Sequence, residues 1–147
     1  MEEQNELTKE NLISPIQGAI DYLELIKEKK GLITEPLAKE NYSIAFKELN
    51  NFINGINELN QLLYSLGDLL EVDYEELNYE ENSLNYYINE FNQFLLNDLI
   101  PAMENQDYIL LSDLINYELE KHLETYKKAF IKLKEYTKSN FEIRSEE

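Results

Sequence analysis

The chain has 147 residues with 30 Asp and Glu against 13 Lys and Arg, a formal net charge of −17, and 43% hydrophobic residues. That length suits one domain over 1–147, and the apolar fraction is enough for a core despite the charge. Four Gly, three Pro, no Cys and one His exclude a turn-rich β-sandwich, a Gly-rich phosphate loop, disulfides, thiolate metal sites and a poly-His cage.

Apolar residues recur at steps of three and four almost throughout, the pattern of amphipathic helices. The first stripe is Leu12, Ile16, Ala19, Ile20, Leu23 and Ile26. Ser14-Pro15-Ile16-Gln17 resembles a capping box, so a helix either starts there or bends there. Lys29, Lys30 and Gly31 predict a basic last turn with a left-handed stop. Gly18 marks either a close approach by a neighbour or a tolerated helix cost.

Thr34-Glu35-Pro36 predicts the start of a second helix capped by Thr34 and running to Leu70, with Gly55 and Gly67 as places where it bends or stops. Its stripe is Tyr42, Ala45, Leu49, Phe52, Ile53, Ile56, Leu59, Leu63, Leu66 and Leu70. Residues 72–82 are acidic and aromatic without a clean stripe. They read as a connector with a short turn after Asp73.

A third helix starts at Asn82 or Ser83, with Leu84, Tyr87, Ile88, Phe91, Leu95, Leu99 and Met103 on one side. Pro101 should kink or end it, because it lacks a backbone donor. Asn105-Gln106-Asp107 reads as a turn with Asp107 capping a fourth helix to about Lys138. The fourth stripe is Leu111, Ile115, Leu119, His122, Tyr126, Phe130 and Leu133. Residues 1–6 and 139–147 should fray. The sum is an all-α antiparallel bundle of about four long helices without a sheet, burying Leu49, Ile53, Leu63, Ile88, Leu95, Leu111, Ile115 and Phe130.

Charge is unevenly spread. Between Glu48 and Glu120 lie 16 acids and no Lys or Arg. Such a stretch repels phosphate backbones and anionic lipid, which argues against direct nucleic-acid or membrane binding. It suits a basic protein partner, whose encounter it would speed, and it also serves solubility. No apolar h-region follows the N-terminal MEEQNELTKE and no run of about 18 apolar residues occurs, so a cytoplasmic protein is expected.

Chemistry-bearing patterns are sparse. Glu118 and His122 lie four apart, not in the Glu-x-x-His spacing of di-iron bundles, and there is no second His. No G-x-S-x-G, P-loop or G-x-G-x-x-G occurs. No catalytic residue, metal ligand or cofactor site is therefore expected, and the reading is non-enzymatic. Asn is abundant at 17 residues. Asn78, Asn82, Asn85, Asn89 and Asn92 share one helical face, and Asn50, Asn54, Asn57 and Gln61 share another. These are either hydrogen-bonding surfaces or AT-rich codon usage on solvent faces. Asp73, Tyr74, Glu75, Glu76, Tyr79, Glu80 and Glu81 cluster in the connector as candidate partner-binding residues, since Tyr anchors interfaces and the flanking acids suit a basic target.

The run Asn105-Gln106-Asp107-Tyr108-Ile109-Leu110-Leu111-Ser112-Asp113-Leu114-Ile115-Asn116-Tyr117-Glu118-Leu119 carries an Asp-capped helix with a D-L-[LI]-x-Y-E-[LI] motif. With Ser43 to Asn50 and Gly55-Ile56, it resembles small uncharacterised acidic helical proteins of low-GC bacteria, some of flagellar-accessory type. That resemblance covers about a quarter of the chain and implies a chaperone or accessory role, with no catalytic residues.

The expectation is a helical adaptor or chaperone-like protein binding a basic or amphipathic protein partner, with a homodimer compatible. The alternative is an acidic nucleic-acid mimic that blocks a DNA- or RNA-binding protein, and a third is a helical enzyme or metal protein. An adaptor should show an apolar groove, and a mimic two rows of carboxylates spaced like phosphates.

Overall fold

The structure is a computed structural model that describes residues 9–146, with side chains for residues 9–140. Residues 1–6 and Glu147, expected to fray, lie outside the described residues, whereas the backbone of 139–146, also expected to fray, is helical to Glu146.

Helix α1 is Lys9–Glu28, α2 Gly31–Ala38 and α3 Tyr42–Leu70. A two-residue hairpin, β1 Asn78–Tyr79 and β2 Asn82–Ser83, pairs Asn78 with Ser83 and Tyr79 with Asn82. Helix α4 (Leu84–Phe94) passes through a π turn, Leu95–Leu99, into α5 (Ile100–Glu104). Helix α6 (Tyr108–Asp113) passes through a second π turn, Leu114–Glu118, into α7 (Leu119–Glu146). The architecture is thus an all-α bundle of four long helical runs. The hairpin corrects the expectation of no sheet, though it is too short to form a layer.

The final helix is the hub. Both α1 and α4 pack along α7, while α2 folds onto α3 and α6. One apolar cluster runs through the molecule and includes Ile16, Leu49, Ile56, Phe91, Ile115, Tyr126 and Phe130. Of the eight expected core residues, six are buried. Ile53 and Ile88 are only half-buried, packed at the edge of the cluster.

Helix ends differ from expectation in an instructive way. All four glycines have negative φ, whereas Glu40, Glu71 and Gln106 sit at φ 60°, 55° and 56°. After α2, Asn41 N–H reaches Pro36 O at 2.7 Å and Glu40 N–H reaches Leu37 O at 3.1 Å. After α3, Val72 N–H reaches Gly67 O at 3.0 Å; after α5, Asp107 N–H reaches Ala102 O at 2.9 Å. These are Schellman endings with a non-glycine in the left-handed position. Gly31, expected as a stop, instead opens α2, and Thr34 lies inside that helix with its hydroxyl donating back to Lys30 O at 3.4 Å. The helix expected from Glu35 is therefore broken at residues 39–41. Left-handed geometry disfavours a side chain with a Cβ by roughly 1–2 kcal/mol. Glu71→Gly is therefore expected to raise stability by about 0.5–1 kcal/mol, after the entropic penalty of glycine. Urea denaturation checks this, and a loss would show that Glu71 has another role.

Other starts and turns follow the sequence. Ser83 Oγ accepts Tyr86 N–H at 3.2 Å and Asp107 Oδ1 accepts Leu110 N–H at 3.2 Å, so both act as N-caps. Pro15 lies within α1, whose helix begins before it. Gly18 faces open space, so no neighbour approaches it. The close approach is at Gly55, where an added Cβ would overlap the Tyr22 hydroxyl of α1.

The π turns have a geometric cause. Leu111, Ile115, Leu119 and Leu123 are spaced by four and all are buried. On an α-helix each four-residue step overshoots by about 40°, so three steps would swing the stripe out of the core. One extra residue in the turn, with Leu119 N–H reaching Leu114 O, takes up that drift. Phe91, Leu95 and Leu99 show the same spacing, and Ile100 N–H reaches Leu95 O. Pro101 follows at once, with no N–H and a ring that crowds the carbonyl four residues back. The widened turn lets the helix carry past this proline to Glu104 instead of ending.

An ion-pair network joins α1 to α7. Lys27 Nζ lies 2.8 Å from Glu124 and 3.4 Å from Glu24, and Lys127 contacts Glu24 and lies 3.1 Å from Glu124. The Lys127 hydrogen bond holds the Glu24 carboxyl below its ordinary 4.5, and Lys27 does the same for Glu124. Glu124 in turn raises Lys27, and Glu24 raises Lys127, above 10.5. A depressed carboxyl stabilises the fold above its unfolded value, and the gain is lost as pH falls through the folded value. A raised lysine stabilises below its unfolded value and loses that gain as pH climbs through the folded one. The double variant Glu24→Gln/Glu124→Gln is expected to be less stable than the parent at neutral pH. The difference should close once pH drops below the depressed carboxyl values. Denaturant midpoints across pH check this, and a constant difference would show that the network acts by packing alone.

Candidate functional site

The acidic connector leaves α3 and turns back into α4, so these two helices run antiparallel with the hairpin at one end. Between their facing sides lies an open groove of about 630 Å³, lined by Asn60, Leu63, Tyr64, Gly67, Asp68, Val72, Tyr74, Asn85, Ile88 and Asn92. From Asn60 to Asp68 it follows α3 for about 12 Å, at ~1.5 Å per residue. Its floor is apolar, from Leu63, Val72 and Ile88.

Polar contacts close its two ends. At the first, Asn60 Nδ2 donates to Asn92 Oδ1 at 3.0 Å, and Asn92 Nδ2 donates to Ile88 O at 3.0 Å. From beneath, the buried Tyr126 hydroxyl of α7 donates to Asn60 Oδ1 at 2.5 Å. Burial pushes this hydroxyl's pKa up, so it stays a donor. At the second end, Tyr74 lies on Gly67, where an added Cβ would sit 3.1 Å from the ring. Its hydroxyl donates to Leu63 O at 2.5 Å, and burial raises its pKa as well. Asn85 N–H donates to Tyr74 O at 3.1 Å and Asn85 Nδ2 to Glu75 Oε2 at 2.5 Å, pinning the connector to α4.

The seven residues expected to bind a partner are therefore divided. Asp73, Glu75, Glu76, Glu80 and Glu81 are exposed. Asp73 Oδ1 accepts Glu75 N–H at 2.9 Å and its carbonyl accepts Glu76 N–H at 2.9 Å, which is the turn expected there. Tyr74 is turned inward as part of the groove end. The Tyr79 carbonyl accepts the Tyr87 hydroxyl at 2.8 Å. Glu80, at φ 58° in the hairpin loop, pairs with Lys128 of α7 at 3.0 Å.

Sequence reading missed Asn60, Tyr64 and Asp68 as a set. Asn60 stands one place off the predicted Asn face, and only its pairing across to Asn92 singles it out. Of the two Asn stripes, Asn85 and Asn92 reach the groove, while Asn50, Asn54 and Asn57 are exposed.

A second cleft of about 890 Å³ lies between the hairpin, α4 and α7, with Glu80, Glu81 and Glu90 facing Lys121, His122 and Lys128. His122 stacks on Phe94 at 4.1 Å, and its burial lowers its pKa. His122 Nε2 lies 3.9 Å from Glu118. Among the described residues no three His, Cys, Asp or Glu side chains come together as a metal cluster. Nor is any described helix long and apolar enough to cross a membrane.

Residues 16–129 match the family model described as Domain of unknown function (DUF8042). The chain belongs to this family. The matched span holds the whole groove, the Asn60–Asn92 pair at one end, Tyr74 at the other and Tyr126 beneath. No curated protein and no solved structure matches the chain.

Proposed function

We propose that this chain is a non-enzymatic adaptor or chaperone-like protein that receives an amphipathic, basic segment of a partner protein in the α3/α4 groove. The supporting observation is an apolar channel whose every lining residue falls in the 73-residue stretch without Lys or Arg. An apolar floor gives affinity for the segment's apolar face, and the surrounding carboxylates draw in its basic face. A groove of this kind is what distinguishes an adaptor from a nucleic-acid mimic, which needs only rows of carboxylates.

Charge reversal tests the electrostatic half of this reading. The variant Glu75→Lys/Glu76→Lys/Glu80→Lys/Glu81→Lys is expected to slow association with the partner recovered by affinity capture by on the order of tenfold. Dissociation should change less, and wild-type binding should weaken steeply with salt as the Debye length falls from ~10 Å at 0.1 M to ~3 Å at 1 M. Stopped-flow kinetics on the purified pair measures both. Unchanged affinity and salt dependence would reduce the connector to a solvated face.

A further inference from the structure

Within the groove one carboxylate stands apart. Asp68 is the only charged residue among the described residues lining it. Its carboxylate makes no hydrogen bond or ion pair with any described residue, whereas Asp73, Glu75 and Glu80 of the connector are each held by one. No lysine or arginine exists on α3 beyond Lys47, on the connector or on α4 to answer it. One helical turn earlier on the same face stands Tyr64, which is 81% exposed and stacks on no other described ring. A large aromatic left bare beside an unanswered carboxylate, at the lip of an apolar channel, is an incomplete site. Gly67 between them carries no side chain and is covered by the Tyr74 ring.

We infer that Tyr64 and Asp68 form the seat for one arginine of the segment that enters the groove. The inference rests on the proposed function and names what the groove selects. A guanidinium is planar, so it can lie on the Tyr64 ring while pairing with the Asp68 carboxylate through two N–H groups. A lysine ammonium can do one or the other but lacks the flat face. Ile88, Leu63 and Val72 would meanwhile meet apolar side chains on the adjoining face, so the occupant is an amphipathic segment with an arginine at the edge of its apolar stripe.

The probe is a displayed library of short amphipathic peptides panned on the full chain. Because the chain has no cysteine, the groove can be obstructed by a bulky maleimide on Asn85→Cys, with unlabelled Asn85→Cys and labelled Tyr117→Cys as the controls. Expected are peptides with an apolar stripe and an arginine at one fixed position, lost on the obstructed protein and kept on the controls. Changing that arginine to glutamine should weaken binding about tenfold, which is ~1.4 kcal/mol. On Asp68→Asn the same change should matter less than twofold. Tyr64→Ala should weaken the arginine peptide and Tyr64→Phe should restore it. Both residues are exposed, so these variants should keep the parent's circular dichroism.

Stripe peptides that enter the groove with no preference for arginine, or that take lysine equally well, would overturn the arginine seat and leave the proposed function standing. Failure to enrich any peptide that groove obstruction displaces would overturn both.

Discussion

Truncating Phe91 to alanine is expected to cost about 3–5 kcal/mol, the range for removing a buried aromatic and leaving a cavity. Phe91 is fully buried at the junction of α4 and α7. It stacks on Tyr126 with ring centroids 4.4 Å apart and planes within 10°, and Tyr126 meets Phe130 edge-on at 5.2 Å. Losing the first ring leaves the face of Tyr126 without a partner and frees the anchor of its hydroxyl on Asn60. A single domain is stabilised by about 5–15 kcal/mol in total, so this one change should remove a large share. Urea denaturation measures it. A loss under about 1 kcal/mol would show that α4 does not pack on α7 through this stack.

The second large effect contrasts two isoleucines on one helical run. Ile115→Ala is expected to cost about 2–5 kcal/mol and Ile109→Ala less than about 0.5 kcal/mol. Ile115 is fully buried in the second π turn, whereas Ile109 is 80% exposed on α6. The same side-chain truncation is made at both, so the large difference in burial dominates the contrast. Similar values for both would mean that the run is rotated, and that the π turn does not hold the four-spaced stripe in the core.

Much of this fold was legible in the sequence for physical reasons. Stripes spaced by three and four gave the helices, and short polar side chains at Ser83 and Asp107 gave two starts. Even the π turns were present in the spacing of Leu111, Ile115, Leu119 and Leu123, although the stripe alone does not say whether the helix drifts or widens. The ends of helices are less legible, because glycine is the usual stop signal. In this chain glutamate and glutamine hold the left-handed positions, and the glycines serve elsewhere. Gly55 admits Tyr22, and Gly67 admits Tyr74.

The groove was the least legible feature. It arises from pairs that meet across distant positions, such as Asn60 with Asn92 and Tyr74 with the Leu63 carbonyl. No periodicity reports such pairs. The connector looked like a surface because its carboxylates are dense, yet Tyr74, Glu75 and Glu80 also fasten it to α3, α4 and α7. The long stretch without a cation is the sequence feature that still bears most on function, because Asp68, at the groove lip within it, pairs with no described residue.

Site-specific photo-cross-linking tests the groove as the place of binding most directly. A benzoylphenylalanine replaces Tyr64, at the lip of the groove, or Tyr117, which is 76% exposed on the second π turn. Expected is a discrete cross-linked partner from position 64, absent from position 117. Peptide mapping should place the link in an amphipathic segment carrying arginine, and high salt should diminish it. Equal capture from both positions, or a linked segment that is acidic or lacks an apolar face, would contradict the α3/α4 groove as the partner site.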